Sequence, residues 1–256
     1  MHTTPVALTV ALPAYEEGPN LAVLLPELKR VLETLGVTWE IVVVDTETPH
    51  DDTPAVCAAS GATYLPRRGG PEYGHAVRTA LAASRGRHVV MMDADGSHAP
   101  EFITKLWAER EAANLVIASR YVAGGGTDNP AVLILLSQIV NVVFRLVLGL
   151  RCADVSNSLR LYTGADVRAL KLTCHNFDVV EEILVDLTFS RPGYTVKEIP
   201  FTFGRRKEGK TKRNLWTFAW SYLATIQRLY LLKRRALTPL ASTQPLCDEA
   251  GRDRGR

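Results

Sequence analysis

Apolar positions in the first half of the chain follow two periods. Residues 6–12 (VALTVAL), 41–44 (IVVV), 62–65 (ATYL), 88–92 (HVVMM) and 115–118 (LVIA) are short β-rich runs. The second and fourth are almost continuously apolar, as expected of strands buried on both faces. Between these runs, residues 20–35, 72–85 and 101–113 carry apolar side chains at helical spacing. Asn20 serves as N-cap of the first helix and Gly36 as its stop, and Gly86 closes the second. This βαβα alternation predicts an α/β fold, a Rossmann-like open, mostly parallel sheet with helices on both faces. Ligands of such sheets lie beyond the carboxyl ends of the strands. Three strands here run into polar text at that end: Pro13-Ala14-Tyr15-Glu16-Glu17, Asp45, and Asp93-Ala94-Asp95. Fold logic puts all three along one cleft.

The second half has a different pattern. Residues 132–150 (VLILLSQIVNVVFRLVLGL) are mostly apolar, yet Ser137, Gln138, Asn141 and Arg145 recur at spacings of three and four. On a helix these form a polar stripe beside a wide apolar face. Arg145 inside the run disfavours a membrane crossing, so a helix lying in a membrane interface is the preferred reading, with a core or dimer helix as the alternative. Residues 215–232 (LWTFAWSYLATIQRLYLL) form a second such stretch, with basic residues on both sides. Aromatic rings with cationic flanks suit an anionic headgroup layer. Residues 238–256 have the composition of a disordered tail. The expected organisation is a catalytic domain over 1–212, an amphipathic surface helix over 213–237, and a tail.

Hydrophobic residues at 46% and charged residues at 22% describe a globular chain able to bury its own core. A formal charge of +3 is too small to imply nucleic acid. Cys57, Cys152, Cys174 and Cys247 form no CxxC pair and no zinc spacing, which suits free thiols in a reducing compartment. The first residues have no basic segment followed by a long apolar one, so no signal peptide is expected.

Two segments carry candidate chemistry. Asp93 and Asp95, one residue apart after an apolar strand, suit a shared Mg²⁺ or Mn²⁺ that also bridges substrate phosphates; an Asx-turn capping a helix near Pro100 explains the same pair. Phe203-Gly204-Arg205-Arg206-Lys207-Glu208-Gly209-Lys210-Thr211-Lys212 offers backbone N–H groups, a hydroxyl and cations to phosphate oxygens, or is a solvated charge run. Neither a P-loop nor a GxGxxG is present.

The order of several motifs resembles family 2 glycosyltransferases of the GT-A fold, in the dolichol-phosphate mannosyltransferase-like branch, over residues 6–215. Leu12-Pro13-Ala14-Tyr15-Glu16-Glu17 resembles the family's opening P-x-Y-N/E-E. Gly74-His75-Ala76-Val77-Arg78 resembles its glycine-led helix start, and Asp93-Ala94-Asp95-Gly96-Ser97-His98-Ala99-Pro100-Glu101 its D-A-D-x-x-H-P-P-E segment. Ser119-Arg120-Tyr121 with Gly124-Gly125 resembles S-R-Y-x-x-G-G, Ser137 and Asn141 an S-x-x-x-N helix, and residues 154–160 (DVSNSLR) the D-x-T-S-G-F-R segment. Phe203, Arg206, Gly209, Thr211 and Lys212 resemble F-x-x-R-x-x-G-x-S-K.

This resemblance implies that Pro13, Ala14, Tyr15, Glu17 and Asp45 line a nucleotide pocket and that Asp93 and Asp95 hold the metal on the donor diphosphate. Arg120, Arg206 and Lys212 would meet phosphates, with Asp93, Asp95 and Arg206 as the catalytic set. Asp154, Arg160, Ser137 and Asn141 would shape the acceptor side. The implied activity is inverting, metal-dependent transfer of a sugar from a nucleotide-diphosphate sugar, GDP-mannose first, to a polyprenyl phosphate. The implied place is the cytoplasmic membrane face, with peripheral attachment. Transfer to a hydroxyl acceptor, with Asp154 as first candidate base, and a non-catalytic membrane-bound partner subunit are the alternatives. Residues 44–53 (VDTETPHDDT) are one residue longer than the family's V-D-D-G-S-x-D-G-T, which leaves the base open. Ser97 stands where the branch often has Gln, and Asn157-Ser158-Leu159 replaces S-G-F.

Overall fold

The computed structural model describes residues 5–204, 225–234 and 237. Its elements run β1 (Leu8–Pro13), α1 (Gly18–Glu33), β2 (Trp39–Asp45), α2 (Thr53–Ser60), β3 (Thr63–Pro66), α3 (Tyr73–Ala83), β4 (His88–Met91), α4 (Phe102–Ala108) and β5 (Leu115–Ser119). They continue with β6 (Gly126–Thr127), α5 (Ala131–Leu148), β7 (Arg160–Thr163), α6 (Gly164–Arg168), α7 (Val179–Ser190), β8 (Val196–Pro200) and β9 (Thr202–Phe203).

Seven strands form one sheet in the order β3-β2-β1-β4-β7-β5-β8, and β6 pairs with β9 apart from it. All pairings in the large sheet are parallel except those of β7, which runs antiparallel to β4 and β5. The expected α/β class is therefore observed, with one reversed strand in it. Register aligns Pro13 with Val44 and Ala11 with Met91, so the loops after β1, β2 and β4 leave from one edge. Because β7 is reversed and pairs Arg160 with Met91, the segment leading into it arrives at that same edge.

Alternation along the strands divides the core between the two faces. Val10, Leu12, Val43 and Val90 pack with Leu21, Leu25 and Leu28 of α1 and with Ile103 and Leu106 of α4. Ala11, Val44, Val89 and Met91 pack with Val77 and Leu81 of α3 and with Ile183 and Leu184 of α7.

Several boundaries differ from expectation. Helix α1 starts at Gly18 with a proline in its first turn, where the fixed φ suits a helix start. Asn20 lies inside the helix and gives its Nδ2 to Glu17 Oε2 at 2.6 Å instead of capping. The Gly18 N–H donates to Asp51 Oδ2 at 2.7 Å, so a neighbouring loop supplies the cap. Helix α4 is shorter than the predicted 101–113.

Helix α5 matches the predicted stretch, but its polar stripe is turned. Asn141, Phe144 and Leu148 are buried. Gln138 and Arg145 are exposed, as are Val132, Leu135, Leu136, Ile139, Val142, Val143, Leu146 and Val147. The helix thus rests on the domain by a narrow seam and leaves its broad apolar face outward. Among the described residues no helix is long and apolar enough to cross a membrane. The basic segment with Arg206 and Lys212, the first part of the 215–232 stretch, and the tail lie outside the described residues. Residues 225–234 are helical, with Leu229 buried and Thr225 Oγ1 donating to Asp178 Oδ2 at 3.1 Å.

Candidate active site

At the carboxyl edge of β2, Asp45 is 1% exposed and neither carboxylate oxygen has a hydrogen-bond partner among the described residues. The Thr46 N–H faces the carboxylate and acts to lower its pKa. Burial raises the Asp45 pKa; the Asp51 charge adds to this and Arg67 opposes it. Thr53 Oγ1 and Tyr64 OH, on α2 and β3 around the same corner, are also buried without partners. Burial, and then the Asp45 charge, raise the Tyr64 phenol, and the same two causes push Cys57 up to about 11, so it stays a thiol. Buried polar atoms are almost always satisfied within a fold, so this corner is a candidate ligand site.

The walls of that corner are backbone. Ala14 N donates to Val44 O at 2.8 Å. Arg67, itself buried, donates Nε to Asp45 O at 3.1 Å, Nη2 to Ala14 O at 2.5 Å and Nη1 to Pro71 O at 2.5 Å. One guanidinium thus pins the loops that leave β1, β2 and β3. Pro13 and Ala14 are buried beneath, and Tyr15 projects at the rim, edge-on to His50 with ring centroids 5.7 Å apart. Glu16 has φ 54°, a left-handed conformation that costs energy for a residue with a side chain. The long 46–52 segment is tied down by Asp51, which accepts from Gly18 N and from Thr53 N at 3.0 Å. A Cβ on Gly18 would stand 2.1 Å from Asp52 Oδ1, so the exposed Asp52 side chain would have to turn away.

Asp93 and Asp95 follow β4. Asp95 is buried, and its Oδ1 accepts from Ser97 N at 3.0 Å and Ser97 Oγ at 2.5 Å. That is an Asx-turn, but it caps no helix, since α4 begins only at Phe102. The Ser97 hydroxyl donates to Asp95, which holds the Asp95 carboxylate in that turn. Asp93 has 27% of its side chain exposed to the cleft. Its N–H donates to His98 Nδ1 at 3.1 Å, and buried His98 leans edge-on against Phe201 and Phe203. Among the described residues no three His, Cys, Asp or Glu side chains gather tightly enough to enclose a metal. Two hard carboxylates in a turn nevertheless fit Mg²⁺ or Mn²⁺, which bind through one or two carboxylates and take the other ligands from phosphates and water.

On the opposite wall, Asp154 is fully buried and holds Arg120 through Nε at 2.7 Å, Nη2 at 2.7 Å and the backbone N at 2.9 Å. Ser156 Oγ accepts a further bond from Arg120 Nη2 at 2.9 Å. Glu198 caps Ala153 N and Asp154 N at 2.6 and 2.9 Å. Arg160 is buried and donates to the carbonyls of Asn157, Val180 and Val155 at 2.7, 2.9 and 2.6 Å. Asn141 accepts from Val155 N at 2.7 Å and donates to Ser137 O at 2.8 Å. Asp154, Arg160 and Asn141 therefore hold the 153–158 loop from behind rather than presenting atoms to the cleft. Ser137 enters through its carbonyl.

The sheet edge thus brings Pro13, Ala14, Tyr15, Asp45, Asp93 and Asp95 together, with Glu17 at the entry of α1. Arg206 and Lys212 lie outside the described residues. Arg67, Thr53 and Tyr64 escaped the sequence reading, because a single Arg or Tyr in a loop or short strand has no pattern. The one usable signal was Arg67 directly after a β-strand ending level with Asp45.

The sequence pattern of Glycosyl transferase family 2 matches residues 9–163, and the chain belongs to that family. Dolichol-phosphate mannosyltransferase of Pyrococcus furiosus is 32% identical over 230 residues, 87% of this chain and 63% of that protein. Undecaprenyl-phosphate mannosyltransferase of Micrococcus luteus is 37% identical over 131 residues, 48% of this chain and 52% of that protein. The chain spans roughly half to three-fifths of the length of these curated relatives. Glucosyl-3-phosphoglycerate synthase from Mycobacterium tuberculosis, solved with Mn²⁺ and uridine-diphosphate-glucose, superposes with a TM-score of 0.66 at 22% identity, over 88% of this chain and 79% of that one. A second mycobacterial protein gives 0.70 at 22% identity, over 88% and 74%. The fold is GT-A, as the sequence motifs imply.

Proposed function

We propose that this family 2 member transfers a sugar from a nucleotide-diphosphate donor, GDP-mannose first, to a polyprenyl monophosphate at the cytoplasmic face of a membrane. The observation that carries the reading is one sheet edge bearing both a buried carboxylate without partners, Asp45, and a carboxylate pair, Asp93 and Asp95. The first suits a base and the second a diphosphate with its cation.

A carboxylate only accepts hydrogen bonds. Guanine offers N1–H and N2–H side by side, which suits both Asp45 oxygens. Uracil offers one N–H between two carbonyl oxygens that a carboxylate repels. The buried Thr53 and Tyr64 hydroxyls would complete the polar lining. The mannosyltransferase relatives support mannose as the sugar.

A phosphate acceptor is favoured over a hydroxyl for a specific reason. Asp154, the first candidate base, is buried and committed to Arg120. A phosphomonoester has a second pKa of about 6 and attacks as an anion without a base. Its oxygen forms the new bond to the anomeric carbon while the bond to the nucleoside diphosphate breaks on the opposite side, with inversion. Mg²⁺ or Mn²⁺ held by Asp93 and Asp95 supplies charge neutralisation for the departing diphosphate. Arg206 and Lys212 are the cations proposed for the phosphates. Alignment and anion stabilisation are then the whole demand on the protein.

The outward apolar face of α5 supports peripheral membrane binding, which keeps the acceptor's chain in lipid while its phosphate reaches the cleft. The buried thiols of Cys57, Cys152 and Cys174 are compatible with the cytoplasmic side.

The test is a transfer assay with purified protein, Mn²⁺, short-chain polyprenyl phosphate and labelled GDP-mannose beside labelled UDP-sugars. A butanol-extractable, acid-labile labelled lipid formed from GDP-mannose is the expected result. Labelling from a UDP-sugar alone overturns the donor. Nucleotide binding with no lipid labelling from any donor overturns the acceptor.

A further inference from the structure

The residue preceding the glycine-led start of α3 has no role in anything derived above. Tyr73 turns its hydroxyl across the cleft floor and donates to Asp93 Oδ1 at 3.3 Å. Its ring stacks on Phe177 with centroids 4.3 Å apart and planes 14° from parallel. The first turn of α3 cannot drift from that wall. Gly74 N donates to His175 O at 2.7 Å, and a Cβ on Gly74 would stand 2.4 Å from Cys174 O. The wall is fixed in turn by Glu182, which accepts from Thr173 N, Thr173 Oγ1 and Cys174 N at 2.8, 2.7 and 2.8 Å. On the other side of Asp93, buried His98 accepts from the Asp93 N–H through Nδ1, which leaves its proton on Nε2, 4.0 Å from Asp93 Oδ2. That Nε2 has no other partner among the described residues.

We propose that Tyr73 is a positioning residue that fixes the rotamer of Asp93, so that the partly exposed carboxylate is presented to a divalent cation in one orientation. The inference rests on the reading of Asp93 as a cation ligand. An unheld aspartate at a cleft mouth samples several rotamers, and only some of them face the diphosphate. Tyr73, stacked and backed by a rigid wall, removes that freedom without touching substrate.

The experiment measures GDP affinity of the full chain by calorimetry with and without Mn²⁺, and takes the ratio within each protein. A change in overall stability cancels in that ratio. Tyr73→Phe keeps the stack and removes one hydrogen bond to a carboxylate, so the Mn²⁺-linked gain should fall about fivefold. In an Asp93→Asn background the same substitution should change nothing further. If Tyr73→Phe keeps the wild-type ratio while Asp93→Asn loses it, the positioning role is overturned and the cation reading stands. If Asp93→Asn keeps the ratio, both fall. Tyr73→Met gives the same comparison should the Phe variant fold poorly.

Discussion

Glu40 and Asp45 lie at opposite ends of β2, both buried carboxylates of the same strand, and their surroundings treat them in opposite ways. Glu40 accepts from Thr9 Oγ1 at 2.6 Å and from Arg85 N and Nε at 2.7 Å each. Thr9 Oγ1 also accepts from Gly86 N at 2.8 Å. Burial pushes the Glu40 pKa up, but these hydrogen bonds and the Arg85 charge outweigh it, and the net shift is downward. Asp45 has comparable burial and no side-chain donor among the described residues, and the Thr46 N–H does not offset its burial, so its pKa is raised. The backbone around Glu40 is closely packed as well. A Cβ on Gly86 would meet His88 O at 2.4 Å, and one on Gly164 would meet Gly86 O at 2.2 Å, so the amino edge is closed. Burial alone therefore does not distinguish a structural carboxylate from a functional one. What distinguishes them is whether the fold itself provides the donors. At the amino edge it does, and the group stabilises the sheet. At the carboxyl edge it does not, and the proposed nucleotide would supply them.

The largest expected effect tests the functional end. Asp45→Asn should lower GDP affinity about 100-fold, because two hydrogen bonds to a charged acceptor are weakened or reversed in polarity. Stability should hold or rise by roughly 1 kcal/mol, since an unpaired charge is removed. Calorimetric titration with GDP and a urea unfolding curve on the same preparation give both numbers. Lost stability with intact affinity would make Asp45 another Glu40. The converse substitution, Glu40→Ala, should cost about 2–3 kcal/mol of unfolding free energy and leave GDP affinity within a factor of two. Arg85 is mostly exposed and returns to water, which keeps the cost below that of a fully buried pair. A drop in GDP affinity without a drop in urea midpoint would erase the distinction between the two edges.

The outward face of α5 offers a smaller, independent check. Leu146→Asp changes a fully outward position and should leave the urea midpoint within about 0.5 kcal/mol. Binding to anionic vesicles in a flotation assay should fall several-fold. Unchanged flotation would remove α5 from the membrane reading.

Most of the sheet edge formed by β1, β2 and β4 is legible in the sequence, and most of the opposite wall is not. Strands β1, β2 and β4 are apolar runs that break into Pro13-Ala14-Tyr15, Asp45 and Asp93, so period and composition alone located the cleft. The reversed strand β7 was missed because Arg160-Leu161-Tyr162-Thr163 is short and opens on a charge. Only its partners, the carbonyls of Asn157, Val180 and Val155, make that arginine an interior residue. Helix α7 hides in the same way, since Glu181 and Glu182 are both buried and break its apolar period. On α5 the polar stripe was read correctly as a stripe. Its direction was not readable, because Asn141 faces inward only to accept from Val155 N, a partner fixed by tertiary structure. Arg67 is the same case at the edge of β2. Three carbonyls from three loops converge on it, and no local pattern encodes that convergence.

The smallest effect is a pH dependence of opposite sign at the two ends. For Glu40 the folded pKa lies below the unfolded one, so its contribution is fully present above the unfolded value, about 4.3, and is lost as pH falls through the folded value. For Asp45 the folded pKa lies above the unfolded one. Its contribution is fully present below about 3.9 and is lost as pH rises through the raised value. Urea midpoints taken in steps from pH about 3.5 to 7 should therefore diverge. Asp45→Asn should gain on wild type as pH rises, and the deficit of Glu40→Ala should shrink as pH falls. The same logic reaches binding. Protonation deprives Asp45 of its role as a double acceptor, so GDP affinity should begin to fall at a higher pH than an ordinary carboxylate would dictate, and Asp45→Asn should abolish that dependence. Parallel stability curves for the two variants would mean that the carboxylates at the two ends of β2 are held alike, and that the missing partners of Asp45 have no consequence in solution.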